Sequence, residues 1–204
     1  VTPEQTGQAY DSITYLWTRD GFNRENGLAA YEKALSFLPT HLVKENGTAL
    51  DVGCGCTNRF IPIIETAGLS YEGIDISAKM LKIARTSMPK HTFHQGNICT
   101  FELPKHYAFI SAWDSFWHLP LAQHAPVLKK LVENLPSKGV LLFSCGGVDE
   151  SGSHTNTTMG PEVYYASLGI NGYISRLLEL GCHIRHLEYD QYPEQHTVVI
   201  AQKQ

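Results

Sequence analysis

The densest chemistry in the sequence is the run Asp51-Val52-Gly53-Cys54-Gly55-Cys56-Thr57-Asn58. It lies where an apolar strand, Ala49-Leu50-Asp51-Val52, turns into a helix read from about Asn58 to Ala67. Gly53 and Gly55 let the backbone approach a ligand closely, and the start of a helix offers unpaired N–H groups to it. Two ligand chemistries compete for such a turn. A pyrophosphate over the helix start ordinarily needs a third glycine, and here Cys56, Thr57 and Asn58 occupy that place. Asp51, two residues before the first glycine, would repel a pyrophosphate and suits a ligand with an ammonium group. Asn58 tolerates the left-handed conformation better than other non-glycine residues, so the turn can still close.

Three more positions lie at strand ends. Asp75 closes the strand Tyr71–Ile76, twenty residues beyond Gly55, where a carboxylate can accept both hydroxyls of a ribose. Gly96-Asn97-Ile98 follow the strand Thr92–Gln95. Asn97 there can bond an adenine amino group while Ile98 covers the ring. Trp113-Asp114-Ser115-Phe116-Trp117-His118 ends the strand that starts at Tyr107, and open α/β sheets bind ligands at that edge. Asp114 and His118 are candidate general bases. Trp117, His154 and Tyr165 are candidates for substrate contact, with Tyr164 beside them. Tyr10 and Trp17 are seven residues apart on a helix and share a face. They serve either packing or a lid whose aromatic faces suit a cation. An ammonium, a ribose, an adenine and no phosphate describe S-adenosylmethionine. Each anchor also has a structural reading: Asp75 as a helix cap, Asn97 as a turn residue, Asp114 and His118 as hydrogen-bonding groups. Cys54-x-Cys56 lacks a second cysteine pair at zinc spacing, so no metal is expected. His91 and His94, on or beside a strand, read as structural.

The elements that must position these groups follow from periodicity. Residues 1 to 46 have helical spacing (Tyr10, Ile13, Trp17, then Leu28, Tyr31, Leu35, Leu38) and read as an N-terminal helical cap or lid. From residue 47 to 204, apolar strands alternate with amphipathic segments, the pattern of a parallel sheet with crossover helices. Ser77 caps the second crossover helix, with Met80, Leu81, Ile83 and Ala84 as its buried stripe. A further helix carries Val127, Leu128, Leu131 and Val132, and a fifth strand runs from Val140 to Cys145. Gly146 to Gly169 reads as a long irregular stretch. A helix with Ile170, Ile174, Leu177 and Leu178 follows, capped by Gly181. The strands Cys182–Glu188 and His196–Gln202 are joined too tightly to be parallel.

This order of strand, D-x-G-x-G, acidic strand end, polar residue after the third strand and terminal antiparallel hairpin resembles the class I S-adenosylmethionine-dependent methyltransferase family. The resemblance covers residues 48 to 204. Leu50 to Ile61 resembles the subgroup with one extra residue in the glycine loop; most members have glycine near positions 57 or 58. It implies a Rossmann-like α/β fold: a doubly wound, mostly parallel seven-stranded sheet with a terminal antiparallel hairpin and N-terminal helices. It also implies cofactor roles for Asp51, Gly53, Gly55, Asp75, Ile76, Asn97 and Trp113. Cys54, Met80, Gly96 and Ile98 adjoin these and are counted with the site, as are Tyr10 and Trp17 as a lid.

The formal net charge of -4 is unfavourable for a protein that must neutralise many phosphates, so no nucleic acid is expected. The Asp-Pro-Pro-Tyr or Asn-Pro-Pro-Tyr segment of methyltransferases acting on exocyclic base nitrogens is absent; Asp114-Ser115-Phe116-Trp117 stands in its place. A small-molecule acceptor is therefore expected. Five cysteines, an odd number partly within apolar runs, read as reduced thiols in the cytoplasm. No apolar stretch approaches a membrane span, and the first residues lack a signal-peptide pattern. The oligomeric state is not legible. Two other functions fit fewer of these residues: a nicotinamide-dependent oxidoreductase, and a non-catalytic protein that binds S-adenosylmethionine or S-adenosylhomocysteine.

Overall fold

The computed structural model describes residues 1–45 and 47–204. The apolar runs become the inner strands. β1 (Thr48–Val52), β4 (Phe109–Ala112) and β5 (Val140–Gly146) are buried at every residue, Gly146 excepted, because a parallel sheet is covered on both faces. With β2 (Ser70–Asp75), β3 (Thr92–Gln95), β8 (Cys182–Glu188) and β9 (His196–Lys203) they form a seven-stranded sheet in the order β3-β2-β1-β4-β5-β9-β8. β1 pairs in parallel with both β2 and β4. β9 runs antiparallel between β5 and β8, with Phe143 opposite Val199 and Leu187 opposite Val199 on its other side. Strand order reverses beside β1, so its carboxyl end lies at the crevice that α/β sheets use for ligands.

Eight helices are described: α1 (Pro3–Ser12), α2 (Tyr15–Thr18), α3 (Leu28–Leu35), α4 (Thr40–Lys44), α5 (Ile61–Thr66), α6 (Ala78–Ser87), α7 (His124–Glu133) and α8 (Ile170–Glu179). The two faces of the sheet carry separate apolar cores. Leu50, Ile110, Leu141 and Phe143 pack toward α7 and α8 with Leu128, Leu131, Tyr173 and Leu177. Ala49, Phe109, Leu142 and Ile200 point the other way, toward α3, α5 and α6 with Tyr31, Ile64 and Leu81. The period of two along β1 therefore turns Asp51 to the α3 face.

Three expectations change in detail. The glycine-loop helix starts at Ile61 rather than Asn58, because Asn58 itself takes φ 52° and cannot be the first helical residue. The stretch read as irregular between Gly146 and Gly169 holds an antiparallel hairpin, β6 (Gly152–Asn156) with β7 (Val163–Ser167). Every residue of β6 is exposed, so no alternation of apolar and polar residues marks it. The N-terminal segment divides into four short helices, α2 and α3 being separated by residues 19 to 27.

Candidate functional site

The carboxyl ends of β1, β2, β3 and β4 surround a cavity of about 340 Å³, closed from above by α1 and α2. Every residue expected at the cofactor lies in its wall: Tyr10, Trp17, Asp51, Gly53, Cys54, Gly55, Asp75, Ile76, Met80, Gly96, Asn97, Ile98 and Trp113. Asp114, Trp117, His118 and Tyr165 line it too. His154 does not. Its exposed ring stacks on Tyr165, centroids 5.4 Å apart and planes 11° apart.

The glycine loop is shaped by close approach. Gly53 has φ 71°, and a Cβ there would come within 2.3 Å of Ser115 Cβ. The Gly53 and Cys54 N–H groups both donate to the Ile74 carbonyl, at 2.8 and 3.1 Å, which ties the loop to β2. Asp75 receives the Gly55 N–H on Oδ2 and the Ser77 N–H on Oδ1, each at 2.8 Å. Each oxygen retains acceptor capacity. Burial raises the Asp75 pKa, against the pull of those N–H donors.

Asp51 has a different setting from the one its sequence position suggests. Its carboxylate is 3% exposed and receives hydroxyls from Tyr31 and Ser111 on Oδ1, at 3.1 and 2.9 Å, and from Tyr71 on Oδ2 at 3.1 Å. Burial pushes its pKa up to about 6 in spite of these three donors. Asp51 thus joins β1 to α3, β2 and β4 beneath the cavity, and its oxygens are already occupied by hydroxyls. Asn97 is also engaged: Nδ2 donates to Glu4 of α1 at 2.9 Å and Oδ1 accepts the Cys99 N–H at 3.0 Å.

α1 is held across the sheet edge at several points. Thr2 and Gln5 form a reciprocal cap at its start. Asp11 Oδ1 accepts from Ser77 Oγ at 2.6 Å and from the Lys79 N–H at 2.9 Å. Tyr10 reaches His118 at 2.6 Å. Burial holds the His118 pKa down to about 4, so the ring is neutral near pH 7. Its Nδ1 faces the Tyr164 carbonyl at 2.9 Å and must carry the hydrogen. The Nε2 lone pair then accepts both the Tyr10 hydroxyl and the Trp117 indole N–H, the latter at 3.1 Å. With its one basic nitrogen so occupied, His118 clamps the N-terminal segment at the cavity wall.

Other groups at the site escaped sequence reasoning. Arg59 lines the cavity with its guanidinium over Phe22 and Phe60, 5.1 and 4.6 Å from the ring centroids. Its Nε is buried with no hydrogen-bond partner, and no carboxylate lies within ion-pair distance among the described residues. Burial lowers its pKa, yet a guanidinium stays charged in proteins. Asn26, Phe22 and Met159 complete the wall. His196, at the start of β9, bonds Asp114. The charge and position of Arg59 in the glycine segment could have marked it. Nothing in sequence spacing links residue 114 to residue 196.

The family model described as a methyltransferase domain matches residues 49–139. The chain is 29% identical over 147 residues to ubiquinone biosynthesis O-methyltransferase of Nitrosomonas europaea, covering 67% of this chain and 54% of that protein. It is 27% identical over 129 residues to carboxy-S-adenosyl-L-methionine synthase of Campylobacter jejuni subsp. doylei, covering 60% of this chain and 52% of that protein. The chain thus spans about half the length of these curated relatives. Among solved structures, magnesium protoporphyrin IX methyltransferase from Synechocystis superposes with a TM-score of 0.67 at 16% identity, over 100% of this chain and 98% of that one. An S-adenosylmethionine-dependent methyltransferase from Mesorhizobium loti gives 0.67 at 16% identity, over 89% and 100%. At these identities the structures speak for the fold alone. The glycine loop, the acidic end of β2 and the strand order agree with the methyltransferase-domain match over residues 49–139, and the fold is the Rossmann-like one of these S-adenosylmethionine-dependent methyltransferases.

Proposed function

We propose that this protein binds S-adenosylmethionine in the cavity at the carboxyl edge of the sheet and transfers its methyl group to a small-molecule acceptor. The observation that carries this reading is the run of matching groups along one cavity wall, from Asn97 and Asp75 through the glycine loop to Arg59. The fit is chemical. The orphaned Arg59 guanidinium suits the ligand's one carboxylate, and the remaining lone pairs of Asp75 suit a ribose diol. The rings of Tyr10 and Trp17, 5.2 Å apart, suit a sulfonium.

When bound, the cofactor supplies an electrophilic methyl group on a sulfonium. The chain's own work is then binding, orientation and exclusion of water. Asp75 and Arg59 orient the two ends of the ligand. α1, clasped through Glu4, Tyr10 and Asp11, covers the site and keeps solvent out. We assign residues 1–45 the role of a lid on the Rossmann-like unit. We assign the acceptor to Trp117, Tyr165 and Met159, apolar groups of the cavity lining. The net charge of -4 favours a small molecule over a nucleic acid. Five free cysteines support a reducing compartment such as the cytoplasm. No helix among the described residues is long and apolar enough to cross a membrane.

The test is ligand-dependent stability. A ligand that binds the folded state alone raises its melting temperature. S-adenosylhomocysteine is expected to raise it, and NAD at the same excess to leave it unchanged. Larger stabilisation by NAD would refute the proposal. Turnover of radiolabelled S-adenosylmethionine against a metabolite library then separates an enzyme from a binding protein.

A further inference from the structure

The end of β4 carries an arrangement that the cofactor does not use. His196, 9% exposed, has a carboxylate against each ring nitrogen. Nε2 donates to Asp114 Oδ1 at 2.9 Å, and Nδ1 donates to Asp190 Oδ1. The rings of Trp113 and Trp117 flank it, 5.3 and 5.5 Å away between centroids. An imidazole that donates from both nitrogens is the cation. Burial opposes that charge and the two carboxylates outweigh it, so the pKa of His196 is raised.

Asp114 is held just as closely. Its backbone takes φ 52°, its N–H donates to Ser144 Oγ at 2.8 Å, and that hydroxyl lies 3.2 Å from Asp114 Oδ1. His196 and Ser144 both engage Oδ1. Among the described residues Oδ2 has only Asn26 Nδ2, at 3.5 Å, the outer limit of a hydrogen bond. A carboxylate in the cavity wall is thus fixed through one oxygen, with the other left for a ligand. The left-handed backbone at a non-glycine residue is strain of the kind that marks functional positions.

We propose that Asp114 Oδ2 receives the N–H or O–H hydrogen of the methyl acceptor, and that His196 and Asp190 are positioning residues that aim it. This rests on the methyltransferase reading and adds the acceptor class: an amine or hydroxyl compound with an apolar body, not a carbon acid or a carboxylate. In the transfer the acceptor's heteroatom bonds the methyl carbon, and the carbon–sulfur bond breaks with its pair remaining on sulfur. The heteroatom's hydrogen leaves as a proton to Asp114 Oδ2 and passes to water when the site opens. The charged and titratable groups that face Asp114 are His196 from β9, Arg59 from the glycine segment, Tyr10 from α1 and His118 beyond β4, while Asp190 from the β8–β9 connection faces the other side of the His196 ring.

The experiment uses the full chain saturated with S-adenosylhomocysteine, titrated in a calorimeter with benzylamine, benzyl alcohol and benzoate. The two hydrogen-donating probes are expected to bind about tenfold or more tightly than benzoate, since a hydrogen bond to a charged group is worth that much. Asp114→Asn is expected to abolish the difference while keeping S-adenosylhomocysteine binding. Which donating probe binds better tells an amine from a hydroxyl acceptor. Benzoate binding as tightly as the others, or a preference that survives Asp114→Asn, overturns the assignment. For positioning, nitrogen-15 spectra of the His196 ring over a pH titration are expected to show both nitrogens protonated to higher pH than in an ordinary histidine. Asp190→Asn is expected to lower that pH and to weaken benzylamine binding. A wild-type ring that loses its second proton no later than an ordinary histidine, or unchanged binding in Asp190→Asn, removes His196 and Asp190 from the role. If S-adenosylhomocysteine fails to bind the wild type, the cofactor reading falls and this proposal with it; if it binds without the probe preference, only this proposal falls.

Discussion

At the scale of single residues, the two aspartates that end β1 and β2 have opposite settings. Asp51 is enclosed and bonded by three hydroxyls, whereas Asp75 faces the cavity with acceptor capacity to spare. Their expected behaviour differs accordingly. The folded pKa of Asp51, about 6 against an ordinary 3.8, means that the native state binds its proton more tightly than the unfolded chain does. The contribution is full below about pH 4 and is lost as pH rises through 6, worth roughly 3 kcal/mol in all. Asp51→Asn lacks this titration, and its amide can still meet hydroxyls that reorient. Denaturant unfolding of both proteins between pH 4 and 7 is expected to show the variant gaining on the wild type by about that amount; a constant difference would contradict it. Asp75→Ala is expected to leave the fold intact and weaken S-adenosylhomocysteine binding by about tenfold or more, from the loss of bonds worth roughly 1.5–3 kcal/mol. An unchanged dissociation constant would take Asp75 out of the site.

At the scale of elements, α1 decides access. It packs on α6 and closes over β2, β3 and β4 with a small number of polar bonds, while its buried residues are only Thr6, Gly7 and Ala9. So thin an apolar contact gives a locally weak element of the kind that opens for ligands. Amide exchange in residues 1 to 25 is expected to slow on binding S-adenosylhomocysteine, more than in β8 and β9. Ligand-independent exchange there would make the segment purely structural. Removing residues 1 to 20 is expected to leave a folded core that binds the cofactor weakly and transfers no methyl group. The clasp can be tested separately. Asp11→Ala removes the acceptor for Ser77 Oγ and the Lys79 N–H, and exchange in α1 is expected to quicken without a change in β1 or β4. Between α2 and α3, Gly27 at φ 92° lets the chain pass within a Cβ's reach (2.7 Å) of the Trp113 ring, so the lid and the β4 end are shaped together.

At the scale of the whole molecule, β9 binds the two halves. It lies between β5 and β8, and Val198, Val199, Ile200 and Ala201 are all buried, alternately in the two cores. Burying such side chains stabilises by about 1.5–3 kcal/mol each for valine or isoleucine, against a total of about 5–15 kcal/mol for a domain. A chain ending at Gly181 is therefore expected to lack a cooperative unfolding transition and fixed near-ultraviolet dichroism. A sharp two-state transition in that truncated chain would show that β1 to β5 suffice. The same strand delivers His196 to Asp114, so the terminal hairpin serves both the core and the cavity wall.

The sequence by itself determined the parallel sheet, the glycine turn and the strand ends that bear Asp75, Asn97 and Asp114. These are local: apolar runs of four to seven residues, a turn that needs glycine or asparagine, and a polar residue where a strand stops. The left-handed Asn58 and the Ser77 cap were legible for the same reason. The β6–β7 hairpin was not, since an exposed strand of Gly, Ser, His, Thr and Asn has no pattern to display. Tertiary structure alone decided that the Asp51 carboxylate receives the hydroxyls of Tyr31, Tyr71 and Ser111, because those partners come from α3, β2 and β4. It alone decided that the one basic nitrogen of His118 goes to Tyr10 and Trp117, and that Arg59 Nε lacks a hydrogen-bond partner among the described residues. It also joined Asp114, Asp190 and His196, which are 76 and 82 positions apart along the chain from Asp114 and meet only because β9 returns antiparallel beside β5. Contacts of that kind are fixed by the packing of many side chains at once and leave no periodic trace in the residues that make them.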